Sequence, residues 1–259
     1  MRILSFVIMT LFAIASYSQD MTVDQIITKA NEAYRYLGDD VKSKAHMDIK
    51  DANGKTIMQR DLIILRKNAG GLKQKWFAYF QKPADIKKMV FMAWKNDGKD
   101  DDRWLYLPAL DLVKRLSGSD KRSSFAGSQF AYEDVTGRDP NADTHVLLYS
   151  EGNTYHVKST PKDAGSVEFS YYEIWIDKET FLPIKTTLYD KSNELYKQYE
   201  MLDWEIIQGY ATITKFSMTN LQTGESTVAT MSDIKYNLGL PDNIFSEGAL
   251  RRAPRKYLR

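Results

Sequence analysis

Residues 41–80, VKSKAHMDIKDANGKTIMQRDLIILRKNAGGLKQKWFAYF, carry the pattern that decides the fold. Ala45, Met47 and Ile49 alternate with polar residues up to Asp51-Ala52-Asn53-Gly54, a turn sequence. Met58, Leu62 and Ile64 alternate on the next segment, which ends at Asn68-Ala69-Gly70-Gly71. Leu72, Trp76, Ala78 and Phe80 then alternate with Lys73, Lys75, Phe77 and Tyr79. A two-residue period broken by short Gly/Asn turns predicts consecutive hairpins, hence an antiparallel sheet. The third segment is apolar on both sides, so each face of this sheet needs a cover.

The same pattern runs outward along the chain. Met89–Trp94 and Trp104–Leu107 follow around Asn96-Asp97-Gly98-Lys99. Strands resume at Thr144–Glu151 and Thr154–Thr160, then at 168–177, 182–190, 195–205, 210–219 and 226–236. Upstream the period is helical. Val23, Ile26, Ile27, Ala30, Ala33 and Tyr34 share one stripe, Thr22 and Gln25 form a capping-box pair, and Gly38 supplies a stop. The expected architecture is mainly β: a single curved antiparallel sheet. The N-terminal helix and a lid lie on its concave side. That lid is Ser117–Asp139, rich in Ser and Gly, too long for a simple connector and carrying Phe125, Phe130 and Tyr132. It is expected to move more than the strands.

Composition closes several routes to function. The chain has 259 residues and a formal charge of +2 at pH 7, too balanced for a protein devoted to nucleic-acid binding. It has no cysteine, which removes thiol catalysis, disulfides and Cys-ligated metal. Three histidines, His46, His145 and His156, leave little scope for triads or zinc. Gly224-Glu225-Ser226 lacks the second glycine of a nucleophile elbow. Ser159/Lys162 and Ser232/Lys235 have the S-x-x-K spacing without its companion motifs, and the acidic run 97–102 does not match a calcium loop. No metal, cofactor or catalytic residue is assigned.

At the N-terminus Arg2 precedes the apolar run Ile3–Ala15, and Ser16-Tyr17-Ser18 offers a small-x-small cleavage site. Residues 1–18 read as a signal peptide and 19–259 as one exported domain, with no permanent membrane span after cleavage. What is left is an apolar surplus under a lid, which either fills a closed core or lines a pocket that acyl chains fit. Each CH₂ transferred from water into such a space contributes about 0.8 kcal/mol, so a 16-carbon chain gives roughly 10 kcal/mol before ordering costs. The inward register selects Met47, Ile49, Leu62, Ile64, Trp76, Phe91, Leu105 and Ile174 as lipid-cavity residues. Phe125, Phe130 and Tyr132 are the lid candidates. Lys114, Arg115, Lys121 and Arg122 stand beside or within the lid as contacts for lipid headgroups or an acidic partner.

Three blocks carry a family resemblance: FQKPADIKKMVFMAW at 80–94, RWLYLPALDLVKRLSG at 103–118 and SFAGSQFAYED at 124–134. Together with the order of leader, helix and hairpins, they resemble the outer-membrane lipoprotein-sorting, LolA-like group. The resemblance implies an incomplete β-barrel with helices over its open side and a cavity for acyl chains of lipoproteins or other envelope lipids. It implies a non-enzymatic periplasmic carrier whose partners are an inner-membrane transporter and an outer-membrane acceptor. Two rival readings stay open at this point: an enzyme that modifies envelope lipids, and a ligand-free adaptor of an envelope lipid transporter.

Overall fold

The computed structural model describes residues 21–258; the signal-peptide reading of residues 1–18 lies outside them. Helix α1 (Val23–Arg35) starts as its sequence dictates. The Thr22 hydroxyl accepts from the Gln25 N–H, and the Gln25 side chain accepts from the Thr22 N–H, satisfying two otherwise orphaned helix donors.

Six strands follow: β1 (Asp40–Lys50), β2 (Thr56–Asn68), β3 (Gln74–Lys82), β4 (Val90–Lys95), β5 (Asp102–Leu107) and β6 (Leu112–Leu116). Each pairs antiparallel with the one before it. After the segment 117–142, which contains the short helix α2 (Tyr132–Thr136), come seven more. They are β7 (Asp143–Glu151), β8 (Thr154–Pro161), β9 (Phe169–Asp177), β10 (Pro183–Asp190), β11 (Leu195–Ile207), β12 (Tyr210–Asn220) and β13 (Ser226–Tyr236). The 13 strands form one sheet in the order β6-β5-β4-β3-β2-β1-β13-β12-β11-β10-β9-β8-β7.

This order explains the long segment between β6 and β7. The chain runs from β1 in the middle out to one edge, then must reach the opposite edge before returning to pair β13 with β1. Residues 117–142 make that crossing. The two edge strands do not pair with each other, so the sheet is curved and unclosed.

The two faces have separate covers. On the concave face, Leu62, Phe80 and Phe91 pack with the lid rings Phe125, Phe130 and Tyr132. Under α1, Ile26, Ile27 and Ala30 meet Val157 and Ile176. On the convex face, Leu65, Phe77, Met92 and Trp104 are covered by the C-terminal segment, through Leu240, Phe245 and Leu250 of the region that includes α3 (Glu247–Arg251). The Trp94 indole N–H donates to the Phe245 carbonyl at 2.7 Å and fixes that cover. The basic tail thus folds back onto the sheet, and Arg251 pairs with Asp111 at 3.0 Å.

Candidate functional site: an apolar cavity under the lid

Strands far apart in the sheet meet around one space. Met47, Leu62, Ile64 and Trp76 from β1–β3 face Leu188 of β10, Tyr199 of β11, Phe216 and Met218 of β12, and Ala229 and Met231 of β13. Tyr34 of α1 and Phe125, Phe130 and Val135 of the lid complete the wall. The cavity volume is about 320 Å³. That falls at the low end of the ~300–1,000 Å³ common for small-molecule sites, and a mostly apolar lining with a few polar groups is also usual there.

Of the residues selected from sequence, Met47, Leu62, Ile64 and Trp76 border the cavity. Ile49, Phe91, Leu105 and Ile174 do not. They share the concave face but have other covers. Ile64, Ala78, Phe91, Leu105 and Lys114 form one row across β2–β6. Along that row the space is filled by lid rings: Phe91 lies 5.7 Å from Phe125 and 4.9 Å from Tyr132, centroid to centroid. Ile174 is roofed by α1. Ile49, one inward step beyond Met47 on β1, is packed tight.

The lid rings belong to the main core. Phe125 is 2 % exposed and packs on Phe80, Phe91 and Tyr132, while Phe130 packs edge-on against Phe216 at 5.5 Å. Phe125 and Phe130 still border the cavity, whereas Tyr132 sits behind them. Polar ties sew the segment to the sheet: the Arg60 guanidinium donates to the Ala126 carbonyl (3.2 Å), Lys197 to the Gln129 carbonyl (3.1 Å), and the Gln129 N–H to the Thr227 hydroxyl (3.0 Å).

The cations within the lid are engaged by the chain's own acids. Arg122 is buried among carboxylates, 2.6 Å from Asp134, 2.8 Å from Glu168 and 3.4 Å from Glu133. Burial opposes its charge, but these three acids outweigh burial and hold its pKa above the ordinary arginine value. In return, burial would raise the Glu168 carboxyl, yet the Arg122 guanidinium brings it down to about 2. Arg138 repeats the device on Asp143 at 2.8 Å, and the Tyr172 hydroxyl donates to the same carboxylate at 2.6 Å. Lys121 stands 3.8 Å from Asp100 and 3.9 Å from Glu133. A lipid phosphate reaching Lys121 or Arg122 would have to displace the chain's own acids. Arg115 pairs with Asp102 beside the Trp104 ring, and Lys114 is exposed near the sheet edge.

The histidines serve local contacts. His145 bonds Ser159 and the Pro140 carbonyl, and His156 bonds Glu173, so the two do not meet across their hairpin. Among the described residues no group of His, Asp and Glu has metal-site geometry, and no helix is long and apolar enough to cross a membrane.

Sequence reasoning missed the far wall of the cavity and Arg66, which lines it. The signal was present. Arg66 follows Leu62 and Ile64 at the two-residue period, and Phe216/Met218 and Ala229/Met231 alternate in the same way.

A family model with the description "uncharacterized protein" matches residues 72–252. A comparison with curated proteins finds no match. Among solved structures, a DUF1329 family protein from Desulfovibrio piger is 29% identical, with a TM-score of 0.80 over 87% of this chain and 96% of that chain. An outer membrane lipoprotein-sorting protein domain from Vibrio parahaemolyticus is 28% identical, with a TM-score of 0.80 over 88% of this chain and 97% of that chain. A LolA superfamily protein from Nitrosomonas europaea shares the fold at 22% identity, with a TM-score of 0.68 over 88% and 99%. With a family model matched across more than half of its length, the chain belongs to that DUF1329-like family, and it shares its fold with the lipoprotein-sorting domain and the LolA superfamily protein.

Proposed function

We propose that the protein is a periplasmic, non-enzymatic carrier that holds acyl chains of lipoproteins or other envelope lipids and moves them toward the outer membrane. The observation that carries this reading is the cavity itself, lined by aliphatic and aromatic side chains from both halves of the sheet and roofed by aromatic lid residues. Apolar chains gain there by leaving water, at about 0.8 kcal/mol per CH₂, without needing directional bonds. The relationship to a lipoprotein-sorting domain supports the same cargo chemistry. An inner-membrane transporter as donor and an outer-membrane acceptor are the partners this role requires.

The lining argues for carriage over turnover. Among the described residues it contains no histidine, and its one carboxylate, Asp134, is held by Arg122. A general base needs a free group within reach of substrate. The test is a titration of the delipidated protein with a fluorescent long-chain fatty acid. Saturable 1:1 binding, displaced by unlabelled lipid that is recovered chemically unchanged, is the expected result. Recovery of a hydrolysed or transferred product from a supplied lipid would overturn the carrier reading in favour of an enzyme. No binding at all would favour a ligand-free adaptor.

A further inference from the structure

Along the strands, the cavity changes character. On β2 the inward residues run Leu62, Ile64, Arg66; on β1 they run Met47, Ala45, Ser43 and Val41; on β13 they end at Tyr236. Arg66 pairs across with Val41, which pairs across with Tyr236, so arginine and phenol share one row at the end of the cavity away from Phe125 and Phe130. The Tyr236 hydroxyl is bonded to that of Thr212, another lining residue, at 3.0 Å.

Arg66 is 4 % exposed and has no carboxylate within ion-pair distance among the described residues. Its two terminal nitrogens donate to the carbonyls of Arg35 and Leu37 at the end of α1. Its Nε–H is buried without an acceptor. A guanidinium has five donors in a planar fork suited to carboxylate and phosphate, and two of them are used. The acid nearest in sequence register, Asp40, lies on the opposite face and accepts from the Leu238 and Leu240 N–H groups at 2.7 and 2.6 Å. Asp134 is held by Arg122. Arg35, adjacent and also lining the cavity, donates to the Val135 and Asp134 carbonyls and lies over the Tyr34 ring. Burial lowers the Arg66 pKa to about 10, so it is still charged at neutral pH.

A buried cation without a counter-ion is costly unless an anion completes it. We propose that the Arg66 end of the cavity is a headgroup site, and that the cargo is a single-chain amphiphile with an anionic head, carboxylate or phosphate. Its tail runs toward Phe125 and Phe130. This rests on the carrier reading and adds to it the polarity and direction of the cargo. A volume of about 320 Å³ suits one chain.

The experiment compares palmitate, hexadecyl phosphate and methyl palmitate, at pH 8, as competitors for a bound fluorescent probe on the wild type, Arg66→Gln and Arg66→Lys. The proposal expects the wild type to favour at least one anionic ligand over the neutral ester by ten-fold or more, and which one it favours distinguishes fatty acid from phospholipid-type cargo. Arg66→Gln should bring the anionic ligands down to the ester without weakening the ester. Should Arg66→Gln fail to fold, Arg66→Lys decides: the anionic ligands weaken while the ester holds. Equal binding of all three ligands to the wild type overturns the headgroup site and leaves the carrier standing. So does a uniform loss of all three in a folded variant, since that is what a purely structural tether of α1 would give. No binding of any chain removes the carrier reading itself.

Discussion

A carboxylate placed on each face of the sheet separates a cavity from a core. Ile64 faces the cavity from β2 and is half-buried there. Met92 of β4 is fully buried on the convex face between Phe77 and Trp104, under the C-terminal cover. In Ile64→Glu the new charge enters a space that already holds Arg66, two residues along the same face and ~6.6 Å away by strand rise. The cost is the lost burial of a half-covered side chain, about 1–2 kcal/mol. In Met92→Glu a fully buried side chain is replaced by a charge with only apolar neighbours. The lost transfer term of about 2 kcal/mol is joined by several more for the unpaired carboxylate. That total approaches the ~5–15 kcal/mol by which whole domains are stable. At ~2–4 °C per kcal/mol for a domain of this size, Ile64→Glu should melt within about 8 °C of wild type, and Met92→Glu should show no cooperative melt near the wild-type temperature. Circular dichroism melts and fatty-acid titration are the assays, and Ile64→Glu should be folded but unable to hold lipid. The reasoning is refuted if Ile64→Glu binds as wild type does, or if Met92→Glu melts normally.

Three further outcomes are expected. Phe125→Ala should lower stability by about 3–5 kcal/mol in chemical denaturation, because this lid ring is a core ring; a loss below 1 kcal/mol would contradict its packing. Glu168 has a folded pKa depressed to about 2 against an ordinary 4.5, so its contribution is full above pH 4.5 and disappears as pH falls toward 2. The melting difference between wild type and Glu168→Gln should therefore shrink over that window, and a pH-independent difference would count against the Arg122 clasp. Gly38→Ala should cost more than Gly54→Ala in the same melts. Both glycines have positive φ, at ~1–2 kcal/mol for any side chain, but only at Gly38 would the new Cβ meet Asn237 Oδ1 at 2.8 Å.

The sheet and α1 were readable because their signals are local. Thr22 with Gln25, the Asn53-Gly54 and Gly70-Gly71 turns, and the Ala45/Met47/Ile49 alternation each act within a few residues. β6 has little signal in the sequence because Leu112–Leu116 is short and charged, and its two-sided setting comes from Trp104 and Leu105 next door. Period two tells which residues share a face, not what covers that face. So the alternation puts Phe91, Leu105 and Ile174 on the concave side, while the covers that keep them from the cavity, Phe125, Tyr132 and α1, come from elsewhere in the chain. Arg122 was the hardest to read. Its partners Glu133, Asp134 and Glu168 converge only once the lid has crossed from β6 to β7, and in sequence it looks like one more surface charge. The C-terminal cover was hidden for a similar reason, since Leu240, Ile244, Phe245 and Leu250 follow no single period.

The central claim is that the cavity carries lipid. Native mass spectrometry of the protein, purified without detergent, tests it most directly. The account predicts a population heavier than the polypeptide by the mass of one lipid, lost on organic extraction and restored by adding lipid back. A protein that carries the polypeptide mass alone, and takes up no lipid when lipid is supplied, would contradict it.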